Sequence, residues 1–236
     1  LIVETPIEEI RPSMTGHTIV RREPVGVVAA IVPWNYPQAL AAFKLAPALA
    51  AGCTVVLKAS PETALDAMVF AEAAAEAGIP PGVLNVVPGG TRAGAHLVSH
   101  PGVDKVSFTG STAVGRIIGE VCGRLLRPVT LELGGKSAAI ILDDADLDAT
   151  VKGLKSVSLI NNGQTCFLGS RILAPRSRYG EVVDALAALV NGLTIGDPRD
   201  MATDIGPVVS RRQQERVLGY IADGKSSGGT LVVGGA

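Results

Sequence analysis

The sequence predicts an α/β fold built around a parallel sheet. Short runs of β-branched and other apolar residues recur along the chain, alanine-rich stretches of helical length separate them, and glycine or proline stands at many junctions. This alternation of predicted strands and helices is typical of parallel strands joined by crossover helices. Apolar residues make up 47% of the 236 residues, so an extensive core and an ordered chain are expected.

The first half of the chain supplies the sheet. Continuous apolar runs, rather than alternating ones, indicate strands that are buried on both faces. The predicted strands are 25–32, 54–57, 83–87, 103–109 and 129–133. The predicted helices between them are 38–51, 61–77, 92–99 and 112–122.

The helix over 61–77 has the clearest predicted ends. Ser60 is a good N-cap, and Pro61 suits the first helical position because its ring fixes φ and it needs no hydrogen-bond acceptor. Gly78 fits the position just after the helix, where a left-handed backbone is favoured.

Two further regions flank this sheet. Residues 1–23 are more polar, and 16–22 is predicted to be one short amphipathic strand. After Gly135 a second α/β pattern begins, with Asp144 or Asp146 as the cap of its first helix. Its predicted strands are 137–142, 170–173 and 231–233, and its helices start near 146 and cover 177–191 and 210–222. The predicted organisation is therefore 1–23, 24–134 and 135–236.

Charge and composition exclude several function classes. The formal net charge is −1 and aromatic residues make up 3%, which argues against nucleic-acid binding. The uncharged run 25–43 contains prolines and an asparagine that a lipid bilayer would penalise, so no membrane span is expected. Three scattered cysteines predict neither a disulfide framework nor a metal site, and they fit a reducing cytoplasm.

Three polar groups are candidates for catalysis. Cys166 lies in a polar loop and has the side chain of a nucleophile, although its thiol needs activation at neutral pH. Glu132 ends an apolar strand and is a candidate general base, and Asn35 follows Pro33-Trp34 and is a candidate oxyanion donor. Taken singly, each has a plainer interpretation: a small buried side chain, an ion-paired or capping glutamate, and a turn residue. The buried interpretation is preferred for Cys53 and Cys122.

Two further positions suit a phosphate or a sugar. Gly110 and Ser111 join a strand to a helix, and a helix N-terminus favours anions. Lys58 ends a buried strand, and Glu62 follows four residues later, at the edge where open α/β sheets bind ligands. Helix capping by Ser111 and Glu62, and a solvated Lys58, are the plainer alternatives.

Taken together, these residues give a far more specific signal. The motifs occur in the order Pro33-Trp34-Asn35, Lys58, Phe108-Thr109-Gly110-Ser111-Thr112, Glu132-Leu133-Gly134-Gly135-Lys136 and Gly163-Gln164-Thr165-Cys166. In order and spacing the chain resembles the aldehyde dehydrogenase superfamily, over essentially its whole length, and corresponds to about the middle half of a family member.

The resemblance implies an NAD(P)-dependent oxidation of an aldehyde to a carboxylic acid. Cys166 would form a thiohemiacetal and then a thioester, Asn35 and the Cys166 N–H would bind the oxyanion, and Glu132 would activate the hydrolytic water. The implied cofactor contacts are Val32, Pro33, Trp34, Lys58, Glu62, Gly110, Ser111, Gly115 and Leu133; no metal is implied. The implied organisation is a subunit-pairing arm over 1–23, a Rossmann-like dinucleotide-binding domain over 24–134 that lacks its N-terminal side, and the first part of a second α/β catalytic domain over 135–236.

The family pattern is not matched everywhere. Members often read Lys-Pro-Ser-Glu after the cofactor strand, but here Glu62 stands one residue later and Pro61 takes the glutamate position. NAD is expected because a carboxylate remains close and no arginine replaces it; NADP is the alternative. The family's Glu-x-Phe-Gly-Pro segment has no match.

Several alternatives stay open at this point. A CoA-acylating relative is less favoured because Glu132 suits hydrolysis, and a catalytically silent cofactor-binding fragment is the second possibility. A papain-like thiol hydrolase is disfavoured because all three histidines precede Cys166. By resemblance we expect a cytoplasmic homo-oligomer, a dimer or a tetramer, acting on a small aldehyde.

Overall fold

The computed structural model describes residues 4–235, which form two compact units. The first unit ends at Leu133 and the second begins at Gly134. The first unit opens with an antiparallel hairpin of β1 (Glu8–Ser13) and β2 (Gly16–Arg21). Strand β2 was predicted, but β1 was not, because its polar sequence lacks the alternation of a half-buried strand.

The predicted parallel sheet is confirmed. Its strands are β3 (Val27–Ile31), β4 (Thr54–Ala59), β5 (Leu84–Pro88), β6 (Lys105–Gly110) and β7 (Val129–Leu133). They lie in the order β5-β4-β3-β6-β7, and every pair is parallel. The helices that join them are α1 (Pro37–Ala50), α2 (Ala64–Glu76), α3 (Thr91–Ser99) and α4 (Thr112–Arg124).

The core of the first unit lies on both faces of this sheet. Helices α1 and α2 pack on one face, over the fully buried Val55 and Leu57 of β4. Helices α3 and α4 pack on the other face, over Val106 and Phe108 of β6. Burial on both faces explains why the strands read as continuous apolar runs.

The start of α2 differs from the prediction. A 3₁₀ turn covers Pro61–Thr63, and the α-helix begins only at Ala64 because Thr63, with φ −136°, interrupts the helical backbone. Ser60 makes no cap to a backbone N–H; its hydroxyl donates to the Glu62 carboxylate instead. The prediction that Ser60 caps a helix over 61–77 is therefore wrong.

The second unit has its own small core. Strands β8 (Ala138–Ile140) and β9 (Arg171–Leu173) are parallel, and the helices are α5 (Leu147–Ser158), α6 (Tyr179–Asn191) and α7 (Arg211–Ser226). Asp146 caps α5 by accepting from the Ala149 N–H at 3.0 Å, as one of the two predicted alternatives required. Buried Leu154 and Val182 pack α5 against α6.

Two expectations about helices and strands remain for this part of the chain. The strand predicted over 231–233 is wrong, because the segment has irregular backbone and no ladder of hydrogen bonds among residues 4–235. Apolar composition alone does not make a strand without a neighbouring strand to pair with. Within the same described range, every helix is too short or too polar to cross a bilayer.

Candidate active site

The sheet of the first unit has a switch in strand order beside β3. The chain runs from β3 to β4 and β5 on one side, and then places β6 on the other side of β3. Such a switch opens a crevice at the carboxyl ends of the two diverging strands, where α/β sheets bind their ligands. The loop 32–35 follows β3 at this edge, and Gly110 and Ser111 follow there from β6.

The N-terminus of α4 has the features of an anion-binding site. Ser111 caps the helix, with its Oγ accepting from the Val114 N–H at 3.4 Å, which leaves other first-turn N–H groups available. A β-carbon at Gly110 would lie 2.5 Å from Phe108 Cζ, and one at Gly115 would lie 2.5 Å from Leu133 Cδ2. At both positions the absence of a β-carbon lets a neighbouring side chain pack against the backbone, where a larger residue would clash with it.

A buried cation and a carboxylate lie at the end of β4. Lys58 is 8% exposed, and its Nζ donates to the Gly89 carbonyl at 2.7 Å. Burial lowers the pKa of Lys58, and the charge of Glu62 opposes part of that effect. Donor and acceptor side by side suit the hydroxyl groups of a sugar, so the arrangement fits the ribose of a dinucleotide. Sequence reasoning missed Gly89, which only the parallel pairing of β4 with β5 brings beside Lys58.

The fit of this edge to a dinucleotide is supported by one more observation. Thr109, 6% exposed at the end of β6, has a buried hydroxyl without a hydrogen-bond partner in the described part of the chain. Together with the capped helix and the Lys58–Glu62 pair, the edge offers donors and acceptors for both phosphate and sugar. The residues at this edge therefore fit a dinucleotide.

Glu132 lies near the same edge, at the end of β7. Its neighbours Leu131 and Leu133 pack on the α4 face, so alternation along the strand directs Glu132 towards the opposite face, which carries α1. Lys44 of α1 is 8% exposed and donates to Ser107 Oγ at 3.2 Å. Burial lowers the pKa of Lys44, and the Glu132 charge opposes part of that effect.

Lys44 was not singled out from the sequence. The sequence feature that could have pointed to Lys44 is that it is the single charged residue of helix α1, whose other residues are apolar or uncharged. Burying an ammonium group is costly, and the cost is tolerated where the group interacts with a carboxylate. Lys44 is thus an electrostatic neighbour of the candidate base Glu132.

Asn35 occupies the loop between β3 and α1. It is half-buried, and its side-chain oxygen is shielded from solvent. Pro37 starts α1 two residues later, which fixes where the loop ends. Pro33 and Trp34 are half-buried in the same loop.

Cys166 lies in the second unit, after a left-handed turn. Asn161, Asn162 and Gly163 have φ values of 51°, 54° and 75°, an arrangement that asparagine and glycine adopt more readily than other residues. Cys166 is half-buried, and a β-carbon at Gly135 would lie 3.9 Å from its main-chain oxygen. Leu168, 2% exposed, then anchors the chain in the core.

The other two cysteines are structural. Cys53 is 5% exposed and Cys122 is fully buried, which confirms their interpretation as small core side chains. Burial raises the pKa of the Cys122 thiol and so disfavours its nucleophilic thiolate. Cys166 is the accessible thiol of the three.

The structure brings most predicted residues to one edge. The candidates of the first unit are Val32, Pro33, Trp34, Asn35, Lys58, Glu62, Gly110, Ser111, Gly115, Glu132 and Leu133, all at or beside the carboxyl ends of its strands. The second unit holds Cys166.

Comparison with known proteins gives a consistent picture. The model of the aldehyde dehydrogenase family matches residues 4–236. A geranial dehydrogenase of Castellaniella defragrans is 63% identical over 229 residues, covering 97% of this chain and 48% of that protein. A phenylacetaldehyde dehydrogenase of Pseudomonas fluorescens is 48% identical over 225 residues, covering 95% of this chain and 45% of that protein.

Solved structures agree with these relatives. The structure of a Mycobacterium tuberculosis aldehyde dehydrogenase complexed with NAD⁺ superposes with a TM-score of 0.94 at 53% identity, covering 98% of this chain and 48% of that one. The chain thus spans about half the length of the relatives that it matches.

Proposed function

The chain belongs to the aldehyde dehydrogenase family, and we propose that the protein containing it oxidises an aldehyde to a carboxylic acid through a covalent bond to Cys166. The observation that carries this proposal is the accessible Cys166 thiol, which follows a left-handed turn, in a chain whose other thiols are buried. The names of its relatives, which include two aldehyde dehydrogenases at 63% and 48% identity, support the same reaction.

In the first step the Cys166 thiolate attacks the aldehyde carbon. The carbon–sulfur bond forms as the carbonyl electrons move to oxygen, giving a thiohemiacetal whose negative charge needs hydrogen-bond donors. The Asn35 side-chain N–H and the Cys166 main-chain N–H are the proposed donors. Donors held in place before the reaction stabilise such a charge most effectively.

The cofactor site is proposed to lie at the carboxyl edge of the five-stranded sheet. Lys58 and Glu62 would hold a ribose, and Ser111 with Gly110 would face the pyrophosphate at the start of α4. The remaining proposed contacts are the main chains of Val32, Pro33, Trp34 and Leu133, with Gly115 giving space. When bound, NAD⁺ supplies the two-electron oxidant that converts the thiohemiacetal to a thioester.

The choice of NAD over NADP follows from the end of β4. Ser60 donates to the Glu62 carboxylate, which fixes a negative charge close to the Lys58 ammonium. A carboxylate accepts from ribose hydroxyls but repels a 2′-phosphate. The solved relative that binds NAD⁺ has the same fold over this region.

Release of the acid is proposed to depend on Glu132. Its carboxylate takes a proton from water, the water oxygen attacks the thioester carbon, and the carbon–sulfur bond breaks to return the Cys166 thiolate. Lys44 lies within electrostatic reach of Glu132, whose charge raises the pKa of Lys44 against the effect of burial.

We also propose a homo-oligomer that acts in the cytoplasm. The β1–β2 hairpin leaves Ile7, Ile10 and Ile19 more than half exposed, and an isolated two-stranded hairpin is marginal without a covering partner. The reduced cysteines fit a reducing compartment.

The proposal is tested by following reduced cofactor. The intact protein, incubated with NAD⁺ and a panel of terpenoid, aryl and aminoalkyl aldehydes, is expected to form NADH and the matching acid. Cys166→Ala should abolish this turnover, and Cys53→Ala, which changes a buried thiol, should retain it. Cofactor binding without turnover would indicate the silent cofactor-binding protein, and acyl-CoA formation on adding CoA would replace hydrolysis by acyl transfer.

A further inference from the structure

The turn that leads to Cys166 is tied to a distant segment by two side-chain amides. Asn162 Oδ1 accepts from the Gly206 N–H at 3.0 Å, and Asn162 Nδ2 donates to the Pro207 carbonyl at 3.0 Å. Gln164 Oε1 accepts from the Val209 N–H at 3.0 Å. These three bonds, called the amide clamp below, link the loop to residues 206–209 across more than forty positions of the chain.

The clamp holds a backbone that is unfavourable by itself. Asn161 and Asn162 are left-handed, a conformation that asparagine adopts more readily than other non-glycine residues but that remains less favourable than the right-handed one. Gln164 also makes two bonds inside the turn. Its main-chain N–H donates to the Asn161 carbonyl at 2.9 Å, and its side-chain Nε2 donates to the same carbonyl at 3.2 Å. Bonds inside the turn and bonds to the segment 206–209 therefore converge immediately before Cys166.

The far side of the clamp is itself firmly held. Lys155 of α5 donates to Asp204 Oδ1 at 2.6 Å, and Asp204 Oδ2 accepts from the Thr194 N–H at 3.0 Å. The Gly196 N–H donates to the Ile205 carbonyl at 3.1 Å. Helix α5 also leads directly into the Cys166 turn, so this helix is connected both to the turn and, through Lys155, to the chain just before the segment 206–209.

We propose that Asn162 and Gln164 are positioning residues that set the orientation of the Cys166 thiol through the amide clamp. This inference rests on the proposed nucleophilic role of Cys166. Neither amide needs to touch the aldehyde; both act by fixing the main chain one to four residues ahead of the sulfur. A nucleophile gains much of its efficiency from a fixed direction of attack, so loosening that main chain lowers the reaction rate in molecules that remain folded.

The test separates the clamp from the backbone conformation. Asn162→Gly permits the left-handed turn and deletes the amide that makes two of the clamp bonds. Asn161→Gly likewise places glycine at a left-handed position; it removes the 3.5 Å bond from Asn161 Nδ2 to the Gln164 carbonyl but leaves all three clamp bonds in place. Gln164→Leu removes the acceptor for Val209, and Gln164→Glu retains one. Val182→Ala serves as a control that lowers stability in the core of the same unit without touching the loop.

The first readout needs neither cofactor nor aldehyde. The rate of Cys166 alkylation by iodoacetamide is measured by peptide mapping across a range of pH, at temperatures where every variant of the intact protein is folded. Asn162→Gly and Gln164→Leu are expected to change this rate about tenfold, given that a misplacement of about 1 Å costs on the order of a hundredfold. The other three variants should stay close to the wild type.

The second readout is steady-state turnover of an aldehyde. Asn162→Gly and Gln164→Leu should lower kcat with little change in KM, because binding is retained while attack is slowed. Wild-type alkylation and kcat in both variants would overturn the proposal, as would an equal effect of Asn161→Gly. Should the wild type oxidise no aldehyde, the alkylation rates still decide the role of the clamp, so the failure of the proposed function is seen separately.

Discussion

Replacing Gly115 by alanine should destabilise the first unit relative to the same replacement at Gly119, one turn later on α4. A β-carbon at 115 would lie 2.5 and 2.9 Å from the two δ-carbons of Leu133, whereas one at 119 would lie 3.6 Å from Leu131 Cδ1. Favourable carbon–carbon contacts lie at about 3.5–4.0 Å. The first replacement therefore forces Leu133 to move, and the second makes an ordinary contact.

The magnitude follows from two opposing effects. Alanine is favoured over glycine inside a helix by about 1 kcal/mol, and both variants gain this amount. Overpacking a core position costs about 1–3 kcal/mol, and only Gly115→Ala incurs it. Gly119→Ala should thus raise the free energy of unfolding by about 1 kcal/mol, and Gly115→Ala should fall about 1–3 kcal/mol below it.

Urea unfolding followed by circular dichroism measures this difference. Leu133→Ala should cost less stability in the Gly115→Ala background than in the wild type, since it removes the atoms that the new β-carbon meets. Because Gly115 and Leu133 border the proposed cofactor site, Gly115→Ala should also weaken NAD⁺ binding in calorimetry. Equal unfolding free energies for Gly115→Ala and Gly119→Ala would refute the packing argument.

Three further predictions concern the core, the cofactor edge and acid. Leu57→Ala, at a fully buried position of β4, should lower the unfolding free energy by about 2–5 kcal/mol, against about 0.5 kcal/mol or less for the exposed Met201→Ala; equal urea midpoints would contradict this. Lys58→Met should weaken NAD⁺ binding about tenfold or more, since a hydrogen bond to a charged group contributes about 1.5–3 kcal/mol; an unchanged calorimetric Kd would remove Lys58 from the site. The Lys155 bond holds the pKa of Asp204 below its ordinary value of 3.8, so its stabilisation is complete above that value and is lost as pH falls through the lower folded value. Asp204→Asn should flatten this acid limb of the thermal unfolding midpoint, and an identical acid limb in both proteins would argue against the ion pair.

Sequence patterns predicted the sheet because its strands are defined locally. Burial on both faces forces continuous apolar runs, which are visible without any partner, and proline, glycine and asparagine mark many of the ends. The order of the strands and the switch beside β3 are consistent with these signals, but only the structure gives them.

The remaining site features depend on contacts between distant segments. Lys44 gains its importance from Ser107 on β6 and from Glu132 on β7, which no local pattern connects to α1. The pairing of Asn162 with Gly206 spans forty-four positions, so the sequence motif around Cys166 pointed to a candidate nucleophile but not to the segment that is bonded to its loop. Ser60 fitted a cap by type, yet the 3₁₀ turn after it directs its hydroxyl to Glu62.

The most direct test of the central claim is to trap the covalent intermediate on Cys166. Glu132→Gln leaves the thiol intact but removes the base that is proposed to activate water, so deacylation should be slowed most. Intact mass spectrometry of this variant with NAD⁺ and an aldehyde substrate should show one added acyl group, and peptide mapping should place it on Cys166. An acyl group on another residue, or wild-type turnover without any adduct, would contradict the account.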